Sequence, residues 1–289
     1  MEKKIAVNKD ATTTTKESGK SGSMFATLAI PIAIVAAIVI YMFILGNPSN
    51  FEGGDTANHP LPGNILGIVY KGGFIVPILI ALLIMVLAFS IERFLTISKA
   101  KGSKGIEGFV RTIRQRLNNH DVNGAIAACD SQKGSVAAVV RAGLLKYKEM
   151  VADRHLPKDQ KVLAIQKEIE ETTALELPML EKNLVIISTI ASIATLVGLI
   201  GTVLGMIKAF SALSAGGAPD AVGLANGISE ALINTALGIT GSAIAIIAYN
   251  FFTSKIDELT YSIDEAGFSI IQTFASQEGN ATTKAPYNA

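Results

Sequence analysis

One carboxylate interrupts a long uncharged stretch near the end of the chain. Residues 228–250, ISEALINTALGITGSAIAIIAYN, have the composition of a membrane-spanning helix, yet they contain Glu230, and no further charge follows before Lys255. A charge inside such a helix costs about 2.5 to more than 10 kcal/mol, and residues of this kind usually mark an ion or proton pathway. Glu230 is therefore the first candidate for chemistry, as a group that takes up and releases protons.

The depth of Glu230 in the membrane depends on where its helix begins. A start near Ile228 would leave the carboxylate among the lipid headgroups, where it costs little. A start near Asp220 would place it about 15 Å along the helix, at 1.5 Å per residue. Pro219 and Asp220 are residue types that favour a helix start, so we expect the longer helix.

Hydroxyl side chains share one face of the preceding apolar segment, 184–207. At about 100° per residue, Ser188, Ser192, Thr195 and Thr202 fall within a narrow sector of the helix. Two interpretations remain open. The hydroxyls either pack against another helix and bond their own backbone, or they line a polar conduit.

The last apolar segment has two polar lines of its own. Asn226, Glu230 and Asn234 follow i, i+4, i+8 spacing, and Thr235 and Ser242 stand seven residues apart. Thr235 lies about 140° around the helix from Glu230. One line could therefore face a pore while the other faces a neighbouring subunit.

Three glycines, Gly198, Gly201 and Gly205, lie on a face beside the hydroxyls of segment 184–207. The Gly201-x-x-x-Gly205 spacing lets another backbone approach closely. We expect this face to pack tightly against a helix and not against lipid.

Four apolar segments must position these side chains. The chain has 289 residues, of which 49% are hydrophobic and only 17% charged, whereas soluble domains have about 25% charged residues. The fold class predicted is an all-α integral membrane protein with four transmembrane helices and long cytoplasmic helical extensions. The expected order is a disordered segment 1–23, an accessory span 24–46, a periplasmic linker 47–73, a span 74–97, a helical region 98–183, a span 184–210, a loop 211–225, a span 226–254 and a helix with tail 255–289. A signal peptide is the alternative for 24–46, although its apolar run is longer than usual.

The distribution of Lys and Arg predicts the orientation of the spans. Residues 1–23 carry five lysines and residues 98–183 are rich in both types, whereas 47–73 carry one lysine and 211–225 none. The positive-inside rule therefore places both termini and the 98–183 region in the cytoplasm. Lys208 is an exception at the outer end of its span, and we expect it to snorkel to the headgroups.

Several functional classes find no support in the sequence. The net charge of +1 gives no bulk attraction for nucleic acid. The three histidines lie outside the apolar segments, and neither a His-x-x-x-His pair nor a Cys and His cluster is present, so we predict no metal, cofactor or enzymatic activity. The single cysteine, Cys129, is expected to pack within a helical bundle.

Two motifs, in order, resemble the ExbB/TolQ/MotA proton-channel family. They are GLIGTVLGMIKAF (198–210) and LANGISEALINTALGITGSAIAIIAYNFF (224–252), and IERFLTI (91–97) follows the second span as in that family. GISEALINTALGI and IAYN are most similar to the ExbB branch. Thr195 and Ile244 stand where the family commonly has proline, and the first span is extra for an ExbB, giving four crossings as in MotA.

The resemblance implies a mechanism and partners. Such proteins form pentamers in the inner membrane of Gram-negative bacteria, and the last two helices of each subunit line a central pore. The pore holds ExbD-like single helices whose aspartate carries protons, and a TonB-like protein transmits the work to outer-membrane transport. By position in the motifs, Glu230 matches the family's glutamate, and Thr202 and Thr235 match its pore threonines. Ser188, Ser192, Thr195 and Ser242 are further pore-lining candidates.

Alternative functions stay open at this point. A TolQ-like role in envelope maintenance uses the same kind of subunit. A structural scaffold around another channel is a second alternative, against which the hydroxyl stripe speaks. A secondary transporter usually has inverted repeats, and no convincing repeat relates the two halves of this chain.

Overall fold

A computed structural model of the chain describes residues 19–103, 105–214 and 220–283. Most of these residues are helical, and the described residues contain no strand beyond an isolated bridge between Phe51 and Pro60. The helices are α1 (Gly19–Val39), α2 (Ile65–Tyr70), α3 (Ile75–Lys101), α4 (Ile106–Asn118), α5 (Val122–Gln132), α6 (Gly134–Ala152), α7 (Lys158–Glu181), α8 (Leu184–Ser214) and α9 (Ala221–Thr283).

Four of the described helices, α1, α3, α8 and α9, contain segments long and apolar enough to cross a membrane. This confirms the predicted fold class. Helix α1 begins at Gly19, so residues 19–23, predicted to be disordered, are helical, and α9 likewise extends to Thr283. The rest of the segments predicted to be disordered lies outside the described residues. The end of the spans next to the linker 47–73 is called the linker side, and the opposite end is called the bundle side.

On the bundle side, α4, α6 and α7 pack against the second half of α9, and α5 packs against α4 and α6. Their apolar faces form a core with residues such as Ile113, Leu144, Ile165, Ile270 and Phe274, each no more than 1% exposed. Cys129 is buried in this bundle as predicted. Burial, with a smaller contribution from Asp130, raises the pKa of the Cys129 thiol to about 12.

A buried arginine joins the bundle to the spans. Helix α7 ends at Glu181 and α8 begins at Leu184, next to Arg93 at the bundle-side end of the apolar part of α3. The Arg93 guanidinium donates to the carbonyls of Met179 at 3.2 Å and Leu180 at 2.9 Å. It also pairs with Glu92, whose carboxylate accepts from the Asn183 amide at 3.0 Å. The break between α7 and α8 is thus stabilised by charged and amide side chains.

The linker is folded. Asn50 is buried, and its amide donates to the carbonyls of Ile44 and Leu45, which are left free at the end of the first span. The ring of Tyr70 stacks on Tyr41 with centroids 4.7 Å apart, and Phe51 contacts it edge-on at 5.4 Å. The linker therefore packs onto the end of the first span as a small compact unit.

Candidate proton site on the linker side

Glu230 lies well inside its helix and not at the start. Helix α9 begins at Ala221, and the carboxylate of Asp220 accepts from the backbone amides of Val222 at 3.1 Å and Gly223 at 2.9 Å. This side-chain cap satisfies amides that the first turn leaves free. The longer of the two predicted helices is confirmed, and Glu230 follows about 14 Å further along the axis.

Lys208 is the direct partner of Glu230. Its Nζ lies 2.6 Å from Glu230 Oε1 and 2.8 Å from Oε2, across the contact between α8 and α9. The side chain of Glu230 is 10% exposed and that of Lys208 is 55% exposed. The lysine, expected to reach towards headgroups, instead neutralises the carboxylate that had no counter-charge in its own segment.

A third element closes on Glu230 from the linker. The backbone turn at Gly72 and Gly73 precedes α3, and a Cβ atom built on Gly73 would lie 2.6 Å from Glu230 Oε1. Asn234, one helical turn after Glu230, donates from Nδ2 to the Gly72 carbonyl at 2.9 Å. Glu230 therefore faces Lys208 and this turn within its own subunit.

Thr202 and Thr235 meet across the same pair of helices. Their hydroxyls are in direct hydrogen-bonding contact. Thr235 also lies 3.1 Å from the Ala231 carbonyl and Thr202 lies 3.2 Å from the Gly198 carbonyl, so each hydroxyl has a backbone acceptor within reach. Thr235 follows Glu230 by five residues, about 7.5 Å along the axis. The structure thus pairs Thr202 with Thr235 and Lys208 with Glu230 across the α8–α9 contact, and the close approach of Gly205 to Ala231 lies between the two pairs.

Glycines allow this close approach. Gly198, Gly201 and Gly205 are buried against α9, and a Cβ atom on Gly198 would lie 2.9 Å from the Asn234 carbonyl oxygen. A Cβ atom on Gly205 would lie 2.7 Å from the Ala231 nitrogen. The predicted packing role of these glycines fits their surroundings.

The remaining pore-lining candidates divide into two groups. Ser192 and Thr195 lie on an exposed face of α8, and Ser188, half-buried, lies 3.0 Å from the Val185 carbonyl of its own helix. Ser242 is different, because it is buried and donates to the Ala191 carbonyl of α8 at 2.5 Å. A pore-lining role for Ser242 stays a prediction. Its hydroxyl joins α9 to α8.

Three parts of the site do not emerge from the sequence. The sequence pattern shows Lys208 and Asn234 as polar residues in apolar segments, but it does not predict their contacts at this site. It gives no indication of the Gly72–Gly73 turn. The i+4 spacing of Asn234 from Glu230 does predict that the two side chains lie on one face of α9. The turn lies about 160 residues from its contacts in the sequence, so no local pattern could identify it.

Known proteins match the segment that carries most of this site. A family model described as the MotA/TolQ/ExbB proton channel family matches residues 132–265. The putative biopolymer transport protein ExbB-like 3 of Synechocystis sp. is 38% identical over 88 residues, which cover 30% of this chain and 42% of that protein. The Tol-Pal system protein TolQ of Pseudomonas aeruginosa is 30% identical over 124 residues, which cover 43% of this chain and 54% of that protein.

The chain spans about half the length of the curated relatives that it matches. The matched range includes α6, α7, α8 and the first 45 residues of α9, and with them Thr202, Lys208, Glu230 and Thr235. The four apolar spans and this match agree with the resemblance seen in the motifs. Residues 132–265 of this multi-pass membrane protein match the model of the MotA/TolQ/ExbB proton channel family.

Proposed function

We propose that this chain is the multi-span subunit of a proton-driven motor in the bacterial inner membrane. The observation that carries the proposal is the arrangement of Glu230, Thr202 and Thr235 on facing sides of α8 and α9. A carboxylate that can exchange a proton lies about 7.5 Å along α9 from two hydroxyls, each of which can donate and accept a hydrogen bond. Such a row of groups suits proton transfer and has no role in contact with lipid.

In this proposal, Glu230 exchanges its bond with Lys208 for a proton. An incoming proton neutralises the carboxylate and frees the Lys208 ammonium, which is already half exposed. The proton then passes towards the hydroxyl pair of Thr202 and Thr235, about 7.5 Å further along the helix. An acidic group on a partner helix accepts it. The electrical gradient supplies about 2.3 kcal/mol per charge per 100 mV.

The partner and the orientation follow the family resemblance. We propose that a homo-oligomer, a pentamer by resemblance, surrounds an ExbD-like single helix. Ser192 and Thr195 lie on the exposed face of α8, which makes them available to such a helix. The lysine distribution supports a periplasmic linker side and cytoplasmic termini.

The motor is proposed to energise TonB-dependent outer-membrane transport. The motifs GISEALINTALGI and IAYN favour an ExbB-like role, and one matched relative has an ExbB-like name. The TolQ-like role is the alternative, because another relative is a TolQ. Deletion of the gene distinguishes them: loss of ferric-siderophore uptake supports the first role, and sensitivity to detergents with normal uptake supports the second.

Proton flux tests the central claim. The chain is reconstituted in liposomes with a single-helix protein from the same genome that carries a membrane aspartate. We expect Glu230→Gln to abolish proton flux driven by a membrane potential while leaving the oligomer intact. Glu107→Gln, a change at an exposed glutamate of α4, is the matched control. Normal flux in the Glu230 variant would contradict the proposal and favour a structural scaffold.

A further inference from the structure

The Gly72–Gly73 turn occupies a special position beside Glu230. Gly73 has φ +78°, a backbone conformation that glycine adopts readily and other residues rarely. A Cβ atom at this position would also press on the Glu230 carboxylate, at 2.6 Å from Oε1. Glycine is thus required at this position for two reasons. Other residues rarely adopt this backbone conformation, and a larger side chain would collide with the Glu230 carboxylate.

Asn234 fixes this turn to α9. Its side chain is fully buried at 0% exposure, and its Nδ2 donates to the Gly72 carbonyl. Its Oδ1 is buried without a hydrogen-bond partner among the described residues. An unpaired buried oxygen costs free energy, so stability alone does not explain an asparagine at this position. The hydrogen bond that it does make connects α9 to the turn that covers Glu230.

The segment that leads into the turn is also fixed to the first span and to the rest of the folded linker. The Tyr41 hydroxyl donates to the Tyr70 carbonyl at 3.2 Å, two residues before the turn. The Lys71 ammonium donates to the carbonyls of Thr56 at 2.9 Å and Ala57 at 3.0 Å. Any displacement of the linker therefore displaces the backbone that rests on Glu230.

We propose that the folded linker forms the outer wall of the proton site, and that Asn234 is the positioning residue that holds this wall against the Glu230–Lys208 pair. The wall limits access to the Glu230 carboxylate from the linker side. When the Asn234–Gly72 hydrogen bond is lost, the turn separates from α9 and the carboxylate becomes accessible. This inference rests on the proposed role of Glu230, but the accessibility of the carboxylate can be measured without proton flux.

A carbodiimide provides that measurement, since it modifies protonated carboxyl groups in apolar surroundings. The full chain in liposomes is treated with dicyclohexylcarbodiimide, and modification of Glu230 is followed by mass spectrometry of its peptide. We expect Asn234→Leu, which keeps the size of the side chain but removes the donor, to raise the modification rate several-fold. The matched control is Asn226→Leu, at an exposed position two turns earlier on the same line, and its rate should not change.

A pair of glycine variants distinguishes the effect of steric contact with Glu230 from the effect of backbone strain. Gly73→Ala and Gly63→Ala change residues with the same φ of +78°, but a Cβ atom on Gly63 meets nothing within 4 Å. Both variants carry the same strain, so only Gly73→Ala should alter the modification of Glu230. Should Gly73→Ala fail to fold, Asn234→Leu still decides the matter.

The outcomes are distinct. Wild-type modification rates in Asn234→Leu would overturn the inference, and so would equal effects of the two alanine variants. If these variants change the modification of Glu230 while Glu230→Gln conducts normally, the wall exists and the proposed function fails. If Glu230→Gln loses flux and the modification rates do not change, the proposed function stands and the wall does not.

Discussion

At the scale of single residues, Glu230 has a cation as its partner, and the energy of that pair is measurable. Pairs of exposed charges stabilise proteins by about 0–1 kcal/mol. The Lys208–Glu230 pair is only half exposed on the lysine side and nearly buried on the glutamate side. Removal of Lys208 would therefore leave a shielded carboxylate without a counter-charge.

We expect Lys208→Gln and Glu230→Gln to be energetically coupled. A double-mutant cycle on unfolding in detergent should give a coupling energy of about 1 kcal/mol, the upper end for partly exposed pairs. The control cycle uses Lys255 and Glu258, which pair at 2.7 Å with side chains 47% and 49% exposed. Its coupling should be close to zero. Equal coupling in the two cycles would mean that burial of Glu230 adds nothing to the pair.

The hydroxyl pair gives a second prediction for single residues. Thr202→Val keeps the shape of the side chain and removes one of the two hydroxyls in contact, while Thr235 keeps the Ala231 carbonyl as an acceptor. Stability should change little. Proton flux should fall about tenfold if the transition state for proton transfer loses a hydrogen bond worth about 1.4 kcal/mol. Thr189→Val is the control, because Thr189 bonds only the Val185 carbonyl of its own helix, at 2.6 Å. Normal flux in Thr202→Val would assign the threonines to packing.

At the scale of helices, the effect of a glycine substitution on the α8–α9 contact depends on the position of that glycine. A Cβ atom on Gly198 would lie 2.9 Å from a backbone oxygen, whereas one on Gly241 would meet its nearest neighbour, the Ala194 Cβ, at 3.7 Å. The first distance requires a backbone to move, and the second is an ordinary contact. The two helices thus tolerate added volume at Gly241 and not at Gly198.

We expect Gly198→Ala to destabilise the protein by about 1–3 kcal/mol through overpacking. Gly241→Ala should be neutral or stabilising by up to about 1 kcal/mol, because alanine favours helix more than glycine does. Unfolding of both variants in detergent tests this difference. Similar stabilities for the two would show that α8 and α9 can separate without cost.

The same contact shows what the sequence could predict. The four spans follow from apolar length, and the start of α9 follows from Asp220, because both signals are local. Helical angles put Thr202 and Thr235 on polar lines, but they do not say which line faces which neighbour. For that reason the helical angles alone predict a pore position for Ser242, although its hydroxyl donates to a carbonyl of α8. Lys208 and Glu230 are 22 residues apart in the sequence. Their pairing depends on how α8 and α9 align with each other, which the sequence pattern does not indicate.

At the scale of the whole molecule, one polar cluster connects the spans to the bundle. Arg93 extends from α3 to the last carbonyls of α7, and Glu92 accepts from Asn183 at the start of α8. The Arg93 side chain, 2% exposed, thus joins α3 to α7, and Glu92 joins α3 to the residue before α8.

Arg93→Met should be among the most destabilising changes in the chain. It leaves Glu92 shielded without its cation and the α7 carbonyls without a donor, and breaking a buried pair of this kind costs about 3–5 kcal/mol. The double variant Glu92→Leu with Arg93→Met should recover much of that loss, because the lone carboxylate is gone. Arg154→Met, at an exposed position beyond α6, is the control. Unfolding in detergent gives the energies, and limited proteolysis between α7 and α8 reports whether the break opens. A single Arg93 variant as stable as the control would show that the cluster does not hold the bundle to the spans.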